Sequence, residues 1–360
     1  MTESTSKTAL EAPIHEDPYD PQAYLVYADS LQIQGDPRGE LIALEVAAEK
    51  DRTLTAAANA YFDRHAEAFL GPLAEHQAAF TWRFGFIHRV RLTSNRAKIY
   101  ELLRSHPSGR FIAELLVRPA GLGDPDLEAI VALLVTDPPP SLRRLQLGAD
   151  RDRDHEANWF HSGTAIDRLW GPLHRLRHLV VDGGQYKLGA IDLPAVEHAA
   201  FRTSGLMADN ARSIARAIMP RIRHLDISGD HNNSTETLIS RTGRAAMSRE
   251  DGSISDLAAL FARSDLSALR VLGITNSVFT DAVCRLLPTS RILPQLAVLD
   301  LSWGNMTDHG ARVLAKNRDA FRRLEILDVS RNNLSRRAID SLQHVAKLVR
   351  ANHQRPDAAL

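Results

Sequence analysis

The side chains that could do chemistry are 15 histidines, one cysteine, 44 acids and 44 lysines and arginines, and their spacing decides what they can do. His155, Glu156 and His161 are the residue types of a zinc protease. A zinc-binding helix needs its two histidines four residues apart on one face, and Trp159 stands at that place. Asp150, Asp152 and Asp154 alternate like the opening of a calcium loop. Arg151 and Arg153 interleave with them, however, and His155 and His161 stand where such a loop needs Gly and Glu. The stretch reads as a self-neutralising surface loop. Gly35-Asp36-Pro37 and Gly183-Gly184 lack the surroundings of a phosphate loop, and no Gly-x-Ser-x-Gly elbow occurs. Cys284 lies among apolar neighbours in DAVCRLL and reads as a buried, inert thiol. A lone cysteine also excludes an intrachain disulfide and a multi-cysteine zinc site. The chain is therefore expected to be a non-enzyme, with no catalytic residue, metal site or cofactor.

What positions these side chains is a repeat. The C-terminal half carries apolar residues at offsets 0, 3 and 5. Leu324, Leu327 and Val329, with Asn332 at offset 8, form the clearest copy, LEILDVSRNN. Leu296, Leu299 and Leu301 precede it, with Gly304 at offset 8 and Asn305 beside it. Upstream stand Leu269/Leu272/Ile274, Ile222/Leu225/Ile227, Val196/Ala199/Phe201 and Leu176/Leu179/Val181. Leu142/Leu145/Leu147, Ile112/Leu115/Val117 and Ile87/Val90/Leu92 complete nine copies. The last three copies are 27 and 28 residues apart, enough for a helix on each return limb. The interval of 20 from Leu176 to Val196 leaves little or no room for one, and the interval of 47 from Ile222 to Leu269 contains an insertion.

The second and third apolar residues of each copy sit two apart, on one face of a short strand. No copy can bury that face alone, so neighbours must stack. Helix-start signals follow the strands at Thr280-Asp281, Thr307-Asp308 and Ser335. Ala338, Ile339, Leu342, Val345, Ala346 and Val349 have helical spacing and predict a final helix over the open end of the core. The pattern resembles the leucine-rich repeat family, in particular its longer, ribonuclease-inhibitor-like class. The fold class this implies is α/β: a curved solenoid with a parallel sheet on its concave side and helices on its convex side.

Residues 15–80 read differently: they are rich in Ala, Glu and Leu and predict a small all-helical domain. Asp17-Pro18 is followed by LVYADSLQIQGDPRGELIALE. This closely resembles the bacterial repeat-companion domain, whose hallmark is Asp-Pro, L-V-Y-A-D-W-L, a short spacer and G-D-P-R-G-E-L-I; Ser30 stands where that family has Trp. LGPLAEHQAAFTWRFGFIHRVRL is similar to the family's passage into its first strand. The resemblance implies an interaction scaffold with no established chemistry. Asp29, Asp36 and Glu40 read as capping, turn and first-turn charges.

Composition bounds the rest. The 360 residues have a formal net charge of zero, which argues against a polycation for nucleic acid. No apolar run approaches the roughly 20 residues of a membrane helix, and the polar MTESTSKTALEAP carries no export signal, so a cytoplasmic protein is expected. The organisation expected is a disordered tail over 1–14, the helical domain over 15–80, the solenoid over 81–350 and a tail over 351–360.

In this register, offsets 2, 4 and 6 point onto the concave face. They place Arg89, Arg91, Arg118 and Arg144 in the first copies, then His178, His198, Arg202 and His224, then Asp226, Asp300 and Asp328 with Ser228, Ser302 and Ser330. Asp followed by an apolar residue and Ser belongs to the ordinary repeat pattern, so those acids read as structural. The arginines and histidines are the candidate partner-binding residues, and the arginines suit a protein with an acidic surface. The polar insertion 229–252 is a second candidate for contact, or for proteolysis at Arg241, Arg244 or Arg249. The expectation is a protein-binding scaffold, monomeric when free. The alternative is a regulated substrate or inhibitor of a protease, cut or masked at that insertion.

Overall fold

The computed structural model describes residues 2–119, 124–148, 164–183, 186–203, 206–229 and 253–355. The chain divides into two compact units, Met1–Ala120 with Asp124–Gln146 and Gly121–Gly123 with Leu147–Leu360. The insertion with Arg241, Arg244 and Arg249, and the segment with His155, Glu156 and His161, lie outside the described residues.

The first unit opens on α1 (Thr2–Glu16), α2 (Pro21–Ile33) and α3 (Arg38–Lys50). Asp20 starts α2 by accepting from the Gln22 N–H, with Pro21 fixed at the first helical position. Gly35, at φ 72°, lets the chain turn between α2 and α3, and Asp36 Oδ1 accepts from the Arg38 N–H at 2.9 Å. Gly39 is where the two helices touch: a Cβ there would lie 2.7 Å from the Ala28 carbonyl oxygen. Tyr24, Tyr27, Phe84, Phe86 and Phe111 form the aromatic core beneath them. Residues 1–14, expected as a tail, differ from that expectation. Helix α1 covers most of them, and Ile14, with Leu10 one turn before it, packs into this core.

The unit continues through α4 (Thr55–Arg64), α5 (Ala66–Leu70), α6 (Arg96–Ser105) and α7 (Pro125–Thr136). Strand β1 (Phe80–Arg83) pairs antiparallel with β2 (Phe86–Leu92) across a turn at Phe84 and Gly85, both at positive φ. Strand β3 (Glu114–Val117) pairs parallel with β2, and β4 (Arg144–Gly148) follows in the row. Strand β1 was not legible as a strand, because it precedes the first apolar triplet and pairs in the opposite sense.

In the second unit, β5 (His178–Asp182), β6 (His198–Thr203), β7 (His224–Gly229), β8 (Val271–Thr275), β9 (Val298–Asp300), β10 (Ile326–Asp328) and β11 (Leu348–Arg350) are parallel neighbours in chain order. The register is in phase: Leu179, Ala199, Leu225, Leu272, Leu299 and Leu327 are successive cross-strand partners. All are at most 2 % exposed, so the offset-3 position builds one continuous core row.

The return limbs carry α8 (Ala208–Arg216), α9 (Ile254–Phe261), α10 (Thr280–Leu286), α11 (Asp308–Lys316) and α12 (Arg336–Leu342). The short limb 186–193 is extended, bridged by Ala165 with Lys187 and Asp192 with Ile218, as its 20-residue interval requires. The helix-start acids tie successive repeats together. Asp281 accepts from the Thr307 N–H at 2.9 Å and hydroxyl at 2.6 Å, and Asp308 repeats this on Ser335 at 2.9 and 2.7 Å. The expected final helix is shorter than its spacing suggested. It ends at Leu342, and Leu348–Arg350 forms β11, because pairing with β10 satisfies backbone groups that a longer helix would leave at an open sheet edge.

Candidate functional site

In the first unit, Arg89 is drawn into an internal ion pair and Arg144 acts on Tyr19. Arg89 holds Glu114 across the β2–β3 pair at 2.6 Å, and the other Glu114 oxygen lies 4.0 Å from His88 Nε2. Tyr19, in the turn between α1 and α2, sets its ring edge-on to His88 at 5.1 Å. Burial, reinforced by Glu114, pushes the Tyr19 phenol up to about 12, and the Arg144 charge opposes this. Arg91 stands in register with Leu116, and the Arg118 N–H donates to the Leu92 carbonyl. The structure therefore groups Arg89 and Arg144 with Tyr19 and Glu114, partners that no single-strand pattern could supply.

Two groups in this unit set a pH dependence. Burial depresses His88 from 6.5 to about 4, against the pull of Glu114. Between those values the unfolded chain binds the extra proton, so stability falls as pH drops from 6.5 to 4, by about 3 kcal/mol in all. Burial raises Glu45, which accepts from the Gly85 N–H, from 4.5 to about 6. Here the folded form binds the extra proton, so stability rises by about 2 kcal/mol as pH falls from 6 to 4.5. His88→Gln removes the first effect and is expected to lose less stability than wild type in urea unfolding between pH 6.5 and 4. Equal acid losses in the two proteins would show that His88 is not the responsible group.

In the second unit, three rows of side chains stand on the open face of the sheet. His178, His198 and His224 occupy one register position on consecutive strands. The first two rings stack at 4.4 Å and 6°, and the next pair is tilted at 5.8 Å and 43°. Burial holds His224 below the usual imidazole range, ahead of the opposing pull of Asp226. The middle row reads Val180, Ala200, Asp226, Gly273, Asp300 and Asp328. The third reads Asp182, Arg202, Ser228 and Thr275.

Arg202 Nε donates to Asp226 Oδ2 at 3.1 Å. Asp300 and Asp328 each accept from the N–H two residues on, Ser302 and Ser330, at 2.9 Å, so the repeat pattern's structural use of these acids is visible. Burial raises the Asp300 carboxyl despite those bonds, with Asp328 and Asp226 adding to the shift.

Over these rows lies a depression of about 730 Å³, bordered by Arg202, His224, Asp226, Gly273, Asp300 and Trp303 among others. Trp303 is 50 % exposed, and the Arg331 guanidinium lies 4.1 Å from its ring centroid. Sequence reasoning centred on charged positions missed both Trp303 and Gly273. The signals were present: a large aromatic directly after Ser302, and a glycine at an offset its neighbours fill with Asp. Among the described residues, no group of three His, Cys, Asp or Glu side chains could hold a metal ion.

No protein-family model matches the chain, and no curated protein matches it. Among solved structures, it is similar to a Bacteroides fragilis protein determined by a structural genomics consortium. The two share 18% identity over 84% of each chain, with a TM-score of 0.58. An internalin from Listeria monocytogenes aligns at 14% identity over 69% of this chain and 68% of its own, with a TM-score of 0.29. The fold is a leucine-rich-repeat solenoid with a helical N-terminal region. Among the described residues, no helix is long and apolar enough to cross a membrane.

Proposed function

We propose that this chain is a non-enzymatic, cytoplasmic protein-recognition scaffold, monomeric when free, that reads its partner through the open strand face of the solenoid. The observation that carries the reading is the in-register row His178, His198, His224, Val271 and Val298, with the depression beside it. A repeat array presents such rows as an extended surface, and the fold by itself does not choose the partner. The insertion 229–252 adds a second contact.

The repeat-companion reading of residues 15–80 is supported by the work that four residues of its Gly-Asp-Pro-Arg-Gly turn do. Gly35 and Asp36 form the turn, Arg38 is buried at 6 % exposure, and Gly39 permits helix contact. An acidic partner surface remains the counterpart for Arg89, Arg118 and Arg144, although Glu114 neutralises part of that charge.

The test is affinity capture from the host with the full chain and three variants. Val271→Arg with Val298→Arg, both half-buried on the open face, is expected to lose the partner without lowering Tm. Reversal of Arg89, Arg118 and Arg144 to Glu weakens capture if the partner surface is acidic. Loss of capture only on deletion of 230–251 would move recognition to the insertion. Capture unchanged in every variant defeats the reading.

A further inference from the structure

We propose that the depression over β7, β8 and β9 is a receptor for one arginine side chain of the protein partner, held above Gly273 between Asp226 and Asp300 and against the Trp303 indole. This deepens the scaffold reading and rests on it.

The space comes from a missing side chain. Asp226, Gly273 and Asp300 are direct cross-strand partners, so glycine occupies the place that carries a carboxylate on either side. Neighbouring strands lie about 4.8 Å apart, which sets the backbones of the two acids about 10 Å apart with no side chain of residue 273 between them. The Asp226 carboxylate already leans across that floor: a Cβ on residue 273 would lie 2.8 Å from its Oδ1.

The charge points to a cation. Among the described residues, Arg202 is the one lysine or arginine lining the depression, and its Nε is engaged by Asp226. Among the described residues, Asp300 forms no ion pair, and Asp328 on the next strand forms none either. Arg331, the cation nearest in sequence to Asp328, lies over Trp303 instead. Among the described residues, the depression thus holds two carboxylates and one arginine, with a third carboxylate on the next strand. The burial that raises the Asp300 carboxyl is relieved by a positive charge beside it.

The shape points to arginine. A volume of about 730 Å³ is far larger than a bare metal ion needs. A guanidinium offers five N–H donors in a planar fork, which can reach carboxylates on both sides and stack on an indole. Trp303 supplies that indole at 50 % exposure, and its ring already meets a guanidinium from Arg331. Ser228 and Ser302 add hydroxyl acceptors on the lining. A lysine ammonium would use fewer of these groups.

The experiment titrates the full chain, with ¹⁵N-labelled tryptophan indoles, against the blocked tripeptides acetyl-Gly-Arg-Gly-amide, acetyl-Gly-Leu-Gly-amide and acetyl-Gly-Glu-Gly-amide. The Trp303 resonance is assigned by its loss in Trp303→Phe. The arginine peptide is expected to shift this resonance saturably and the other two are not. Asp300→Asn keeps the acceptor for the Ser302 N–H and is expected to weaken the arginine peptide about 10-fold, the loss of one charge-assisted contact. Gly273→Leu, which fills the floor, is expected to abolish binding. Equal shifts with all three peptides, no shift with arginine, or full binding by both variants would overturn the receptor. Because the tripeptides need no native partner, such a failure leaves the scaffold reading to be decided by capture alone.

Discussion

Asn332→Leu is expected to lower the stability of the C-terminal repeats by about 3 kcal/mol, because it strands two buried backbone groups. Asn332 is completely buried. Its Oδ1 accepts from the Met306 N–H at 2.8 Å, and its Nδ2 donates to the carbonyls of Leu301, Val329 and Ser330 at 2.9, 3.0 and 3.3 Å. Val329 keeps a bond from Gln354, and the Ser330 carbonyl keeps one from the Trp303 N–H. Met306 N–H and Leu301 C=O have no second partner among the described residues, so they carry the cost. Leucine keeps the four heavy atoms and the branching of the side chain and offers neither donor nor acceptor, so it removes the hydrogen bonds without leaving a cavity. Hydrogen exchange read by mass spectrometry should show faster exchange across 298–335. Asn333→Ala beside it should stay within about 0.5 kcal/mol of wild type. Wild-type exchange in Asn332→Leu would mean that the ladder contributes nothing to stability.

The preceding copy shows how far the ladder could be read from sequence. Gly304 holds the equivalent offset, and a Cβ there would lie 2.2 Å from Thr280 Oγ1 and 2.9 Å from Asn332 Oδ1. The adjacent Asn305 takes over the task, accepting from the Thr280 N–H at 3.2 Å and donating to the Val278 carbonyl. The pairing of Gly304 with Asn305 was visible as a one-residue irregularity, but its steric cause lies in two other repeats.

The same limit separates the core from the site. Apolar residues at offsets 3 and 5 are set by the strand's own periodicity, so nine strands could be placed from spacing alone. Offsets 2, 4 and 6 could be assigned to the open face on the same ground. Which charges cancel there could not, because Arg89 meets Glu114 and Arg202 meets Asp226 only across strands 24 or 25 residues apart in the chain. Helix α1 and strand β11 were missed for a related reason. Each is stabilised by what it packs or pairs against, the aromatic core for Ile14 and the edge of β10 for Leu348–Arg350.

Arg38→Ala is expected to cost the first unit about 3–5 kcal/mol, the usual range when one partner of a buried charged network is removed. The side chain is 7 % exposed, and its guanidinium reaches Asp36 at 3.2 Å, the Ala68 carbonyl at 3.2 Å and Ser108 Oγ at 2.8 Å. It also lies 5.5 Å from the Phe69 ring centroid and 6.0 Å from that of Phe86. One side chain therefore joins the turn before α3, the end of α5 and the segment leading to β3. Ser108 Oγ, which donates to the Phe69 carbonyl at 2.6 Å, loses the donor that orients it. Lysine keeps the charge without the planar fork, so Arg38→Lys should recover less than half of the loss. Loss of exchange protection should be largest in peptides covering 36–50, 66–70 and 107–117. Urea unfolding of Arg38→Ala within about 0.5 kcal/mol of wild type, the range of an ordinary surface substitution, would show that Arg38 does not hold these segments together. Full stability in Arg38→Lys would show that charge and packing volume account for the arginine without its fork.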